Sequence, residues 1–93
     1  MNKGEGIIVQ GSTTSLYSTP VGGWIRIMSL PAGDVRAQFI RLGIGEGERI
    51  LLIERLPGGT VVLQKNRQQI AVGHQLSRQI LVAVIYDEEL ADA

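Results

Sequence analysis

Residues 34–56 read DVRAQFIRLGIGEGERILLIERL, and this stretch predicts a short helix, a glycine-rich turn and a long β-strand. We place Asp34 at the N-cap of the helix, because its carboxylate can accept hydrogen bonds from the unpaired amides of the first turn. The apolar residues that follow recur at i, i+4 and i+7, the spacing of one helix face: Val35, Phe39 and Leu42.

The end of this helix is predicted at Gly43, since glycine adopts the left-handed conformation that commonly terminates a helix. Ile44 is then expected to fold back onto Phe39, which is the hydrophobic contact that accompanies such an ending. The segment Gly45-Glu46-Gly47 reverses the chain, and the branched apolar residues of 49–56 predict a strand. The glycines at 43, 45 and 47 are therefore interpreted as structural turn residues.

Four further segments have the composition of strands, namely 24–30, 60–65, 68–72 and 79–86. In the first of them, Trp24, Arg26 and Met28 share one face. Asn66, which tolerates a positive φ, is predicted at the corner of the hairpin between the second and third. Residues 16–23 are predicted as a loop and 73–78 as no more than one turn of helix, while the apolar 79–86 suggests a closing strand buried by neighbours on both sides.

The predicted elements define the fold class. We expect a mainly β protein, a small SH3-like partly open barrel of about five strands, with one short α-helix between the first and second core strands. Three regions are predicted along the chain: a flexible N-terminal extension (1–15), the folded domain (16–86) and an acidic C-terminal tail (87–93).

Composition limits the environment and the function. The 93 residues include no cysteine, and no stretch approaches the roughly 18 apolar residues of a membrane span. With no signal-peptide pattern at the N-terminus, these features predict a cytoplasmic protein without direct membrane insertion. Nine basic and nine acidic residues cancel, which argues against nucleic-acid binding. Residues 1–86 alone carry nine basic and five acidic side chains, a bias compatible with an acidic protein partner or with an ordinary solvated surface.

Residues 39–50, FIRLGIGEGERI, resemble the hallmark of FeoA-type proteins, and the resemblance extends from Leu16 to Val82 through LPGG at 56–59. Glu46 stands where that family often has proline, so we expect a looser turn there. The resemblance implies a small cytoplasmic SH3-like domain that accompanies FeoB, a membrane ferrous-iron transporter with a cytosolic GTP-binding domain. It also implies an accessory or regulatory role in iron transport, exerted by binding the cytoplasmic part of that transporter.

A second interpretation stays open. The same SH3-like module occurs in DtxR-type metal-dependent repressors, which would imply a metal-sensing module that binds transition metal ions. His74, the single histidine, is the one candidate metal ligand, and iron the possible divalent cofactor. A transition-metal site wants three or four converging ligands, however, so His74 is interpreted as an ordinary polar residue near a turn. No nucleophile is paired with a base, so an enzyme is not expected.

Four residues are candidates for partner binding: Trp24, Arg36, Arg41 and Arg49. The preferred position for Trp24 is the core, with an exposed groove as the alternative. Arg36 and Arg41 lie off the apolar face of the helix and are expected in solvent, where contact with an acidic partner is the alternative to simple solvation. The surface that meets the partner and the oligomeric state are left open by the sequence.

Overall fold

The computed structural model describes residues 13–86, so most of the predicted extension and all of the acidic tail lie outside the described residues. Their predicted flexibility and boundaries stay predictions. Along the described chain the elements are β1 (Thr14–Ser15), a 3-10 helix (Leu16–Ser18), β2 (Gly23–Ser29), α1 (Asp34–Arg41), β3 (Arg49–Arg55), β4 (Val61–Lys65), β5 (Gln68–Val72), α2 (His74–Ser77) and β6 (Leu81–Val84).

The strands of residues 13–86 form one antiparallel sheet in the order β1-β6-β2-β3-β4-β5. The first and last strands are neighbours, because Thr14 pairs with Val82 and Ser15 with Leu81. The register shifts once between β2 and β6 and once between β3 and β4. Such irregularities bend and twist a sheet, which suits a partly open barrel. The prediction of a mainly β fold with a short helix between the first and second core strands is confirmed.

Strand alternation builds the core. In β2, Ile25 and Ile27 are at most 1% exposed, whereas Trp24 and Met28 face outward, as the period of two requires. Helix α1 adds Phe39, and Val35 packs against the same cluster. The buried apolar cluster contains Leu16, Ile25, Ile27, Leu30, Phe39, Ile44, Ile50, Leu52, Val61, Leu63, Val72, Ile80 and Val82.

Helix α1 ends as the sequence predicts. Gly43 has φ 81°, and its N–H donates to the carbonyl of Ile40 at 3.0 Å. The N–H of Ile44 donates to the carbonyl of Phe39 at 2.9 Å, so the two bonds together form a Schellman motif. Ile44 and Phe39 are both buried in the core, which places the hydrophobic contact of this motif inside the barrel.

The beginning of α1 differs from the prediction. Asp34 is the first helical residue, and the N-cap is Gly33, with φ 91° and no side-chain cap. This backbone conformation is strongly favourable only for glycine. Asp34 instead places its carboxylate in the first turn, where it faces the positive end of the helix dipole. Leu42 also differs, because it is the C-cap residue and is 39% exposed rather than part of the buried face.

The predicted turns are confirmed. Asn66 has φ 56° in the two-residue connection between β4 and β5. The N–H of Glu48 donates to the carbonyl of Gly45 at 3.1 Å, and Gly47 within this turn has φ 94°. Residues 74–77 form one helical turn.

Two predicted segments require correction. The 16–23 segment is not simply a loop, because its 3-10 helix buries Leu16, and β1 adds a sixth strand ahead of it. Strand β6 lies between β1 and β2, yet Leu81 and Val84 are 39% and 38% exposed, so the closing strand is not buried throughout. Neither helix within residues 13–86 is long and apolar enough to cross a membrane.

Candidate interaction surface

Trp24 lies on the outer face of the sheet. The next residue, Ile25, is buried in the core, so the side chain of Trp24 points to the other side of the strand. Trp24 is 40% exposed. The preferred core position for this residue is therefore wrong, and the alternative of an exposed aromatic side chain is the one observed. Met28, two positions beyond Arg26 on the same face, is 42% exposed.

Two arginines stand beside Trp24 on this face. Arg26 of β2 is directly opposite Arg49 of β3, and Trp24 is directly opposite Leu51. Side chains at directly opposite positions have Cβ atoms about 4.5–5.5 Å apart, so the two cationic side chains are immediate neighbours. The Nη1 atom of Arg26 donates to the carbonyl of Gly47 at 3.0 Å, which orients its guanidinium. We call Trp24, Arg26, Met28, Arg49 and Leu51 the outer face.

An apolar groove adjoins the outer face. Its volume is about 170 Å³, and its walls are residues 19–25 together with Val84. Val21 and Val84 are 46% and 38% exposed, so apolar groups on both sides of Trp24 are open to solvent. Exposed aromatic and aliphatic groups next to arginine are typical of the central part of protein–protein interfaces.

The wall of the groove is held by Arg55, at the end of β3. Its Nη2 atom donates to the carbonyls of Tyr17 and Thr19, each at 2.6 Å, and its guanidinium lies 5.4 Å from the centre of the Tyr17 ring. The Thr19 hydroxyl donates to the carbonyl of Ser15 at 2.9 Å. These bonds fix the segment that leads into the groove, which explains why a polar threonine is buried there.

The Tyr17 ring also contacts His74, with ring centroids 4.5 Å apart. His74 in turn lies over Gly59, which has φ 96°, and a Cβ at residue 59 would come within 2.8 Å of the His74 Cγ atom. This stack of Arg55, Tyr17, His74 and Gly59 was not predicted. The signals in the sequence are an arginine that ends an apolar strand and a histidine that follows a glycine, and neither is specific.

Comparison with known proteins decides the family. The FeoA domain family model matches residues 14–84, which is nearly all of the described chain. The chain belongs to the FeoA domain family.

Two solved structures resemble this FeoA domain. An iron uptake regulatory protein (FeoA) has a TM-score of 0.68 and 19% identity, covering 80% of this chain and 100% of its own. An FeoA-like protein from Clostridium acetobutylicum has a TM-score of 0.66 and 19% identity, covering 81% of this chain and 90% of its own. At this identity the likeness concerns the fold, and it confirms the SH3-like class predicted above. No curated protein matches the sequence.

Arg36 of the FeoA domain makes hydrogen bonds within the fold. Its Nη2 atom donates to the carbonyl of Leu30 at 2.8 Å and to the Glu46 carboxylate at 3.3 Å. The same carboxylate oxygen accepts from the N–H of Leu30 at 3.0 Å. The Arg36 side chain is 43% exposed, as expected, but it is also bonded within the fold and not simply solvated. The Glu46 side chain ties its turn to the end of β2 and to α1.

Arg41 lies on helix α1 and is exposed, whereas Trp24 and Arg49 lie on strands of the sheet. The structure thus brings two of the four candidate partner residues together and leaves the other two on the helix. Their role in partner binding stays a prediction. A second, open groove of about 520 Å³ follows the end of α1, lined by Leu42, Gly43 and residues 65–68.

Lys65 is the fixed cation of that second groove. Its Nζ atom donates to the carbonyl of Gly43 at 2.6 Å and to the Glu48 carboxylate at 2.7 Å. The hydrogen bond from Lys65, together with its positive charge, lowers the pKa of Glu48 below its usual range. Lys65 therefore links the β4–β5 hairpin both to the end of the helix and to the glycine-rich turn.

The structure shows the surroundings of His74, the candidate metal ligand. No group of three or more His, Cys, Asp or Glu side chains suitable for a metal ion occurs within residues 13–86. His74 is in ring contact with Tyr17 and packs over Gly59, as described above. Metal binding by His74, and the metal-sensing interpretation that depends on it, stay predictions.

Proposed function

We propose that this protein is a cytoplasmic accessory protein of ferrous iron transport that binds the cytoplasmic part of an FeoB-type, GTP-dependent membrane transporter. The observation that carries the proposal is the match of the FeoA domain to residues 14–84. That match spans every element of the described fold, so the association with ferrous iron transport concerns the whole domain and not one motif.

The geometry supports a binding role. The outer face combines an exposed tryptophan, an exposed methionine and adjacent arginines, which are residue types enriched in protein interfaces. Of the four acidic residues within 13–86, Glu46 and Glu48 are already paired with Arg36 and Lys65. Residues 13–86 carry eight basic and four acidic side chains, an excess of positive charge that suits an acidic partner.

Binding would act on transport by changing the balance between two states of the transporter. A partner shifts a conformational or nucleotide equilibrium only when its affinity for the two states differs. We therefore expect different affinities for the GTP-bound and GDP-bound forms of the transporter's cytoplasmic region, and a corresponding change in its rate of GTP hydrolysis.

The test is an NMR titration of the isotope-labelled full chain with the cytoplasmic region of the cognate transporter. Amide shifts confined to one face are the expected result. An unrelated GTP-binding domain of similar charge is the control and should produce no shifts. The absence of shifts with on the order of hundreds of micromolar transporter region, in either nucleotide state, would overturn the proposal.

A further inference from the structure

We propose that the free edge of β5 binds an acidic, extended segment of a protein partner, which pairs with β5 as an additional strand and places a carboxylate at Arg67. This inference rests on the proposed function, because the partner that presents the segment is the cytoplasmic region of the transporter. It adds to that proposal a second contact, separated from the outer face by β4, and the chemistry of the segment that makes it.

The first argument is the open backbone of β5. On one side β5 pairs with β4, and no strand within residues 13–86 lies on its other side. Because Lys65 and Gln68 flank a two-residue connection, they form a hydrogen-bonded pair, and such pairs alternate along an antiparallel ladder. The N–H and C=O groups of Gln69 and Ala71 therefore point away from β4. Both residues are exposed, so these groups can pair with an added strand.

The second argument is that nothing protects this edge. Proteins usually protect exposed edge strands with charged residues, proline, bulges or a very short length. Strand β5 reads QQIAV over five residues, without charge or proline, and its register with β4 is continuous. At the other edge of the sheet, by contrast, β1 has only two residues. The length and composition of β5 therefore favour the addition of a strand.

The third argument is the charge at the beginning of β5. Arg67 immediately precedes β5, lines the second groove and is exposed. It has no hydrogen bond or ion pair within residues 13–86, whereas Lys65 in the same groove is already paired with Glu48. Leu42, an apolar residue of this groove, is 39% exposed. A carboxylate on the partner segment would accept charge-assisted hydrogen bonds from Arg67.

The charge also distinguishes between two occupants of the edge. Two copies of this chain can in principle pair through β5. Residues 65–73 contain no acidic side chain, however, so the paired strands would bring no carboxylate to Arg67. An acidic segment of a partner satisfies both the backbone edge and Arg67, whereas a second copy satisfies the edge alone.

The direct test is hydrogen exchange, measured by NMR on the wild-type full chain with and without the cytoplasmic region of the cognate transporter. An added strand accepts hydrogen bonds from the amides of Gln69 and Ala71, so their exchange should slow at least tenfold in the saturated complex. The control is the amide of Ala32, an exposed residue in the turn before α1, and its exchange should slow less than twofold. Unchanged exchange at Gln69 and Ala71 would overturn the assignment.

The dissociation constant of the same complex, measured by calorimetry, tests these contacts through variants. Ala71→Pro removes an N–H that points to the free side, and proline is tolerated at such positions of an edge strand. It should weaken binding at least tenfold, whereas the control Ala71→Val, which keeps the N–H, should change binding less than twofold. Arg67→Glu should also weaken binding at least tenfold. Its control is Arg78→Glu, which reverses an exposed charge outside β5 and the second groove and should change binding less than twofold.

The outcomes separate the two proposals. If the wild type does not bind the transporter region, the proposed function fails and this assignment fails with it. If the wild type binds while Ala71→Pro and Arg67→Glu bind equally well, only the assignment of β5 is overturned. Unfolding curves identify a variant that does not fold, and the exchange measurement on the wild type then decides.

Sedimentation of the free chain tests the other occupant. The expected result is the same sedimentation coefficient for the wild type and Ala71→Pro. A dimer of the wild type that Ala71→Pro dissociates, with transporter binding unchanged, would replace the partner segment with a second copy.

Discussion

Gly43 is the residue on which the ending of helix α1 depends. A Cβ at this position would meet nothing closer than the Lys65 Nζ atom at 4.0 Å, so space is not the constraint. The constraint is φ 81°, which β-branched residues rarely adopt. Gly43→Val should lower the free energy of unfolding by more than ~1 kcal/mol, as measured by urea denaturation.

The matched control for Gly43 is Gly23, which has no positive φ and also has open space around its Cβ position. Gly23→Val places a branched residue in β2, where valine is favourable, and should not destabilise the fold. Equal losses in both variants would show that the backbone conformation at residue 43 is not the cause.

Gly58 and Gly59 offer a second matched pair, because their φ angles are 95° and 96°. Alanine at either position strains the backbone, but only at Gly59 does the added Cβ collide with His74. Gly59→Ala should therefore destabilise the protein by about 1–3 kcal/mol more than Gly58→Ala. In the background of His74→Ala this difference should become smaller, because the ring atoms at 2.8 and 3.1 Å are removed while the Cβ atom of residue 74 at 3.0 Å remains. An unchanged difference would contradict the packing described here.

At the residue scale, the sequence predicts positions that are determined by local sterics. Gly43 and Asn66 are predictable because few residues tolerate a positive φ. The core position predicted for Trp24 is wrong because the general preference of tryptophan for the core is weaker here than the strand alternation, which groups Trp24 with Arg26. Burial depends on what the rest of the chain covers, and that information is not local.

Helix α1 is attached to the barrel by Arg36 and Glu46 as well as by its apolar face. Arg36→Met removes the hydrogen bond to the Leu30 carbonyl and the ion pair with Glu46, and should lower the free energy of unfolding by about 1 kcal/mol. Arg41→Met, on the same helix without such contacts within residues 13–86, should change it by less than about 0.5 kcal/mol. Similar losses in thermal or chemical denaturation would contradict a structural role for Arg36.

The Lys65–Glu48 pair links the β4–β5 hairpin to the glycine-rich turn in a pH-dependent way. Because the folded-state pKa of Glu48 is lowered, the unfolded chain binds its proton more readily than the folded chain does. The stabilisation is complete above the unfolded pKa of about 4.3 and is lost as the pH falls through the lower folded value. The effect should be small, since Glu48 is half-exposed to solvent.

The free energies of unfolding of Lys65→Met and of the wild type, measured by urea denaturation at several pH values between 7 and 2.5, give the contribution of the Lys65–Glu48 pair. The stability difference from the wild type should narrow at low pH, and the part that remains belongs to the Gly43 carbonyl contact. Arg67→Met, the control, should show no narrowing. A difference that stays constant with pH would mean that Glu48 contributes nothing through its charge.

At the element scale, helix α1 and strands β2 to β5 follow from periodicity. Strand β1, the 3-10 helix and the exposure of Leu81 and Val84 in β6 do not. Thr14 and Ser15 form a strand only because Val82 and Leu81 lie beside them. The Arg55–Tyr17–His74 stack likewise joins three elements that are distant in the sequence. Contacts of this kind form only when the strands of the barrel come together. Because their residues are far apart in the sequence, no short segment of the sequence predicts them.

Over the whole molecule, stability should be lowest where the sheet is narrowest. Strand β1 has two residues at the sheet edge, while β4 has paired strands on both sides. The amide of Leu16, which donates to Ile80 at 2.8 Å beside β1, should therefore exchange with solvent faster than the amide of Leu63 in β4. Native-state hydrogen exchange by NMR measures both rates, and equal protection would indicate that the barrel opens only as a unit.

The pairing of β1 with β6 has a consequence for how this domain can be inserted into, or fused to, other proteins. Because the two strands run in opposite directions, the chain enters the fold beside the place where it leaves. A domain of this kind can be inserted into a surface loop of a host protein, or joined to a second copy, without a long linker at either junction. Its termini could equally be closed and new ones opened at Asn66 and Arg67, and every strand pair would still be able to form.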